Sequence, residues 1–135
     1  MTATLLETRP AATSPLAVTG VAAAAVASLA TTAVAAVGHA AGISLDMAGE
    51  PVPLAGFGML TAVFSLVGLA LAAVLRRRAA QPRRTFVRTT AVLLALSVVP
   101  DVLADSALET RALLVLTHLV AAAVVVPALA RRLAS

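Results

Sequence analysis

Apolar residues in this chain fall into four long blocks separated by short polar stretches, with too few polar positions inside the blocks for the half-solvated face of a soluble helix. Crossing a bilayer core takes about 20 mostly apolar residues in helical form. The pattern predicts spans over residues 16–38, 52–75, 86–104 and 112–130, the third only just long enough. The expected fold is all-α, an integral membrane four-helix bundle within residues 16–133. Residues 1–15 are polar and Pro-containing, and read as a disordered cytoplasmic tail. The first block also shares features with a cleaved signal peptide. Its apolar stretch exceeds an h-region of about 7–15 residues, and only Arg9 precedes it, so a retained span is the favoured reading.

Composition points the same way. The chain has 135 residues, 61% hydrophobic and 12% charged, with a mean hydropathy of +1.03. Soluble domains carry about 45–50% apolar and about 25% charged residues. A chain this short has too little interior to hide the excess, which leaves lipid as the expected solvent. The absence of cysteine excludes disulfides, thiolate metal sites and cysteine nucleophiles. Aromatic residues are restricted to Phe57, Phe64 and Phe86, so an interfacial Trp/Tyr belt is missing, as is the material for an aromatic cage around a quaternary ammonium group.

Charge fixes the expected orientation. Arg76, Arg77, Arg78, Arg83, Arg84 and Arg88 cluster around the connection between the second and third spans, and Arg131 and Arg132 follow the fourth. The opposite loops hold Asp46 and Glu50, then Asp101, Asp105, Glu109 and Arg111. By the positive-inside rule the arginine loop is cytoplasmic, and both termini with it, in the cell (plasma) membrane. The arginines then orient the chain and attract anionic lipid headgroups. The net charge of +4 lies between hydrophobic blocks, so no nucleic-acid partner is expected.

Several polar residues have plain structural roles in prospect. Glu50-Pro51 suits the start of the second helix, and Ser106-Ala107-Leu108-Glu109 has capping-box spacing ahead of the fourth. Asp101 and Asp105 are harder to dismiss, because they sit at a helix C-terminus, where the dipole disfavours anions. Their stripe runs back through Ser97 and Thr90 with Leu94 interrupting, and Pro100 frees the Leu96 carbonyl for Ser97 to help re-satisfy. His118 lies seven residues beyond Arg111, so about 10 Å into its span. Ionisable groups at such depth face a bundle interior or a wet cavity; the plainer expectation is a neutral imidazole bonded to a Ser or Thr of another helix. His39 ends the first span on a stripe with Ser28 and Thr32, and the second span carries Gly58, Thr61, Ser65, Gly68 and Ala72. If these stripes converge, they form a polar seam of His118, Asp101, Asp105, Arg111, His39, Ser97 and Ser65. No catalytic or metal-ligand set is expected, since no HxxxH spacing or nucleophile motif is present.

The order of parts resembles a family of small four-helix actinobacterial integral membrane proteins of unknown function. The resemblance rests on Thr117-His118-Leu119-Val120-Ala121-Ala122-Ala123-Val124-Val125-Val126-Pro127, on Ser97-Val98-Val99-Pro100 and on the arginine-rich centre. It implies a shared four-helix layout with His118 and Pro127 as recurring features, and it lends no activity. Asp101 and Asp105 lie outside its pattern.

Three functions compete. The first is a small structural or accessory membrane protein of uncharacterised role, without cofactor, acting in the bilayer as a homo-oligomer or beside a membrane protein partner. The second is a proton-linked transporter or channel subunit using His118, although the first span lacks the buried acid of small multidrug exporters. The third is a membrane-embedded acid–base enzyme on a lipid-soluble substrate. The chain reads as a non-enzyme more readily than as an enzyme.

Overall fold

The computed structural model describes residues 15–47 and 49–134. Four helices follow one another: α1 (Pro15–Ala40), α2 (Leu54–Arg78), α3 (Pro82–Leu103) and α4 (Leu108–Ala130). Between α1 and α2, β1 (Asp46–Met47) pairs antiparallel with β2 (Glu50–Pro51). Each helix is long and apolar enough to cross a membrane. The expected tail over 1–15 lies outside the described residues except for Pro15, which opens α1.

Local chemistry sets the helix ends. α1 stops where Gly42, at φ 96, takes the left-handed conformation. Ile43 N–H then donates to Gly38 O and Gly42 N–H to His39 O, closing the last turn. Two expectations are corrected here. Glu50-Pro51 does not start a helix; it pairs with Asp46–Met47, and α2 begins at Leu54 after Pro53, whose ψ of 147° is extended. Ser106 does not cap α4 either: the cap position is Ala107, and the Ser106 hydroxyl donates to Asp46 O across the loops. α3 starts four residues earlier than the hydropathy pattern predicts, because Pro82 occupies its first turn and needs no N–H partner there. Arg83 and Arg84 are therefore helical and not in a loop.

Hydrogen bonds sort the ends into two groups. At the arginine-rich end, Arg132 Nε donates to Thr19 Oγ1 at 3.0 Å, and Arg83 Nε to Ala130 O at 2.9 Å. At the acidic end, Thr110 Oγ1 donates to Ser44 O at 2.6 Å. Successive helices thus run antiparallel.

α1 packs against α2 and α4 through small residues. Leu16, Gly20, Ala23, Ala24, Ala27, Thr31, Ala35 and Gly38 are all buried, a helical stripe along its whole length. Thr31 Oγ1 and Thr61 Oγ1 meet at 2.9 Å, each hydroxyl also within reach of a carbonyl on its own helix, Ser28 O at 3.2 Å and Phe57 O at 2.6 Å. A Cβ on Gly58 would lie 2.6 Å from Thr32 Oγ1, so only glycine permits this approach. Apolar clusters close the bundle above and below, one around Phe57, Leu113 and Leu114, the other around Leu16, Phe86 and Leu129. The outer surface is apolar too, with Leu29, Met59 and Leu119 exposed along its flanks.

A candidate site in the cleft between three helices

α3 is attached differently. Its buried residues are Pro82 and Phe86 at one end and Asp101 at the other, with none between. Its middle presents Val92, Leu93, Leu94 and Leu96, with Ala91 and Ala95 exposed, and lacks the buried alanines and glycines that bring α1 close to its neighbours. Two arginines bind α3 to α4 at the ends. Arg83, near the start of α3, reaches the last carbonyls of α4, and Arg111, near the start of α4, donates to Val102 O at 3.2 Å and Ser106 O at 3.0 Å. Val102 O and Ala130 O lie at the C-terminal ends of α3 and α4, where cations are favoured.

Held at its ends, α3 leaves a cleft of about 620 Å³ between α2, α3 and α4. Ser65 and Gly68 of α2, Thr90 and Ser97 of α3, and Thr117 and Ala122 of α4 line its depth. Its rim is apolar and exposed: Leu60, Phe64 and Val67 on α2 face Leu93 across the opening. Asp101 and His118 are the ionisable residues among its lining.

Those two meet directly. Side chains on a helix lean toward its N-terminus. On antiparallel α3 and α4, Asp101 therefore leans away from the acidic end and His118 toward it, so they converge. His118 Nδ1 lies 2.7 Å from Asp101 Oδ2 and 3.0 Å from Leu114 O. A carbonyl only accepts, so Nδ1 carries hydrogen, and that N–H is aimed at Leu114. The carboxylate oxygen sits close to the nitrogen but off the line of its hydrogen. Oδ2 is thus buried without a hydrogen-bond partner among the described residues, in a side chain only 9% exposed. The His118 side chain is 37% exposed, toward the cleft it lines.

The anticipated seam divides accordingly. His118, Asp101, Ser97 and Ser65 line one cleft. Ser97 satisfies Leu93 O at 2.8 Å, not the carbonyl freed by Pro100. His118 finds its own-helix carbonyl and Asp101, not a hydroxyl on another helix. Arg111 caps α3 and does not enter the cleft. Asp105 is exposed in the α3–α4 turn, and His39 is exposed at the end of α1. α1 cannot contribute because its polar stripe is turned to α2, where Thr31 meets Thr61. Arg76, Arg77, Arg78, Arg84 and Arg88 are exposed at or near the opposite end. No group of three or more metal-ligating side chains gathers among the described residues.

Sequence reasoning missed the three phenylalanines: Phe57, Phe64 and Phe86 all line the cleft. They do not make a cage. Phe57 and Phe64 are seven residues apart on α2, about 10 Å along the axis, and Phe86 belongs to the arginine-rich end. Thr117 was missed as well; its hydroxyl donates to Leu114 O at 2.7 Å, the same carbonyl that His118 uses. No periodic signal separated either from ordinary core.

No curated protein and no solved structure matches the chain. A family model does, over residues 11–135, and its description is a family of unknown function, DUF6069. The chain belongs to that family.

Proposed function

We propose that this is a multi-pass protein of the cell membrane, its termini and arginine-rich end cytoplasmic, serving as an accessory protein that holds a hydrophobic molecule from the lipid phase. The orientation rests on charge: Arg76, Arg77, Arg78, Arg83, Arg84, Arg131 and Arg132 gather at one end, and Asp46, Glu50, Asp105 and Glu109 at the other. Reporter fusions after Arg78 and after Glu50 test it; an extracytoplasmic signal after Arg78 reverses the orientation.

One observation carries the binding role: the cleft between α2, α3 and α4 is bordered by exposed apolar side chains, Leu60, Phe64 and Val67 of α2 and Leu93 of α3. Beyond Asp101 and His118, its lining toward the arginine-rich end is apolar or hydroxyl-bearing, with no further ionisable group to pass a proton on. Ligand sites commonly combine a mostly apolar cavity of about 300–1,000 Å³ with a few polar groups. In liposomes loaded with a pH-sensitive dye, the protein should leave proton permeability at the protein-free level.

A second reading, proton-linked transport, draws on the contact of Asp101 with His118. A proton flux that requires the protein and disappears in His118→Ala would replace the accessory role with that one.

A further inference from the structure

The polar end of the cleft is chemically one-sided, and that names a ligand class. With the His118 Nδ1 hydrogen committed to Leu114 O, the ring in its neutral form offers only the Nε2 lone pair. Asp101 Oδ2 is buried with no donor aimed at it. Both groups line the cleft. The protein therefore presents acceptors there, and the serine and threonine hydroxyls nearest the pair are already donating: Ser97 to Leu93 O and Thr117 to Leu114 O. An unmatched carboxylate in an apolar cleft calls for a partner with hydrogens to give, and for positive charge.

Resting on the accessory reading above, we propose that the cleft binds a lipophilic primary amine. Its ammonium sits against the Asp101 carboxylate and donates to His118 Nε2, and its apolar body runs along Ser65, Gly68 and Val126 toward Phe86. A primary ammonium has three donors. A quaternary one has none, and the phenylalanines are too far apart to cage it. The amine is a free amphiphile and not an aminophospholipid. The pair lies about 10 Å along α4 beyond Arg111, below headgroup level, and a phosphate beside Asp101 would be repelled.

Saturable binding of radiolabelled dodecylamine to the protein in phosphatidylcholine nanodiscs, with protein-free nanodiscs subtracted, tests this. Unlabelled dodecanol and dodecyltrimethylammonium should compete at least about tenfold more weakly than dodecylamine, a difference of about 1.4 kcal/mol. Asp101→Asn should weaken binding by a similar factor while circular dichroism shows unchanged helix content. Gly68→Leu fills the body of the cleft without touching the pair, and should abolish binding even if Asp101→Asn proves unstable. Equal competition by dodecanol, with binding intact in Asp101→Asn, overturns the amine and leaves the accessory reading standing. Competition by phosphatidylethanolamine overturns the free-amine assignment. Absence of saturable binding overturns the proposal; accompanied by proton flux, it takes the accessory reading with it.

Discussion

α1 and α3 are both apolar helices of spanning length, yet they join the bundle in opposite ways. α1 buries small residues at every turn from Leu16 to Gly38. α3 buries nothing between Phe86 and Asp101, and is tied at its two ends by Arg83 and Arg111. Where lipid competes on equal terms with apolar side chains, helix association comes from close backbone approach and interhelical hydrogen bonds. Alanine, glycine and threonine supply both to α1. The valines and leucines of α3 supply neither, so its middle stands off, and the resulting space is the candidate site.

The contrast can be broken most strongly at the tight interface. Gly58→Ala places a methyl against Thr32 Oγ1, itself bonded to Ser28 O at 2.7 Å. It should cost about 1–3 kcal/mol, as overpacking does, read as a lower midpoint in thermal melts followed by circular dichroism. Arg111→Met keeps the aliphatic stem but loses the caps on Val102 and Ser106. A loss of about 1 kcal/mol is expected, with faster amide exchange in α3 while α1 stays protected.

The same glycine-to-alanine change on the loose side should have the opposite sign. At Gly68 the nearest atom to a new Cβ is Leu129 Cδ1 at 3.9 Å. Helix propensity then favours alanine by up to about 1 kcal/mol, and Gly68→Ala should melt at or above the parent. The smallest effect is Thr31→Val, which removes the bond to Thr61 and should cost about 0.6 kcal/mol. Equal and same-signed effects at Gly58 and Gly68 would erase the distinction between the two interfaces.

Much of this architecture was legible in the chain. Four blocks of sufficient hydropathy gave four helices, because backbone bonding within apolar segments leaves little choice of form. The stripe Thr90, Ser97, Asp101 and the depth of His118 pointed to residues that do share a cleft. The helix starts were less legible. Glu50-Pro51 and Ser106-x-x-Glu109 carry local signals for helix N-termini, but pairing with Asp46–Met47 and the bond to Asp46 O claimed those groups. Arg111 and His39 were misassigned for a related reason. Charge and position along a helix do not reveal which carbonyls a neighbouring helix leaves unpaired, nor which way a stripe is turned once α1 has packed on α2.

Binding of an amine depends on the cleft presenting acceptors, and so on which nitrogen of His118 holds the proton. Solid-state ¹⁵N NMR of the histidine-labelled protein in lipid, with His39→Gln leaving His118 as the one labelled ring, reads this directly. At mildly alkaline pH and without added amine, the spectrum should show a neutral ring protonated at Nδ1 and bare at Nε2. A ring protonated at Nε2 would contradict this, since a bare Nδ1 at 2.7 Å could only accept from a protonated Asp101 carboxyl, and a neutral hydrogen-bonded pair would need no cationic ligand.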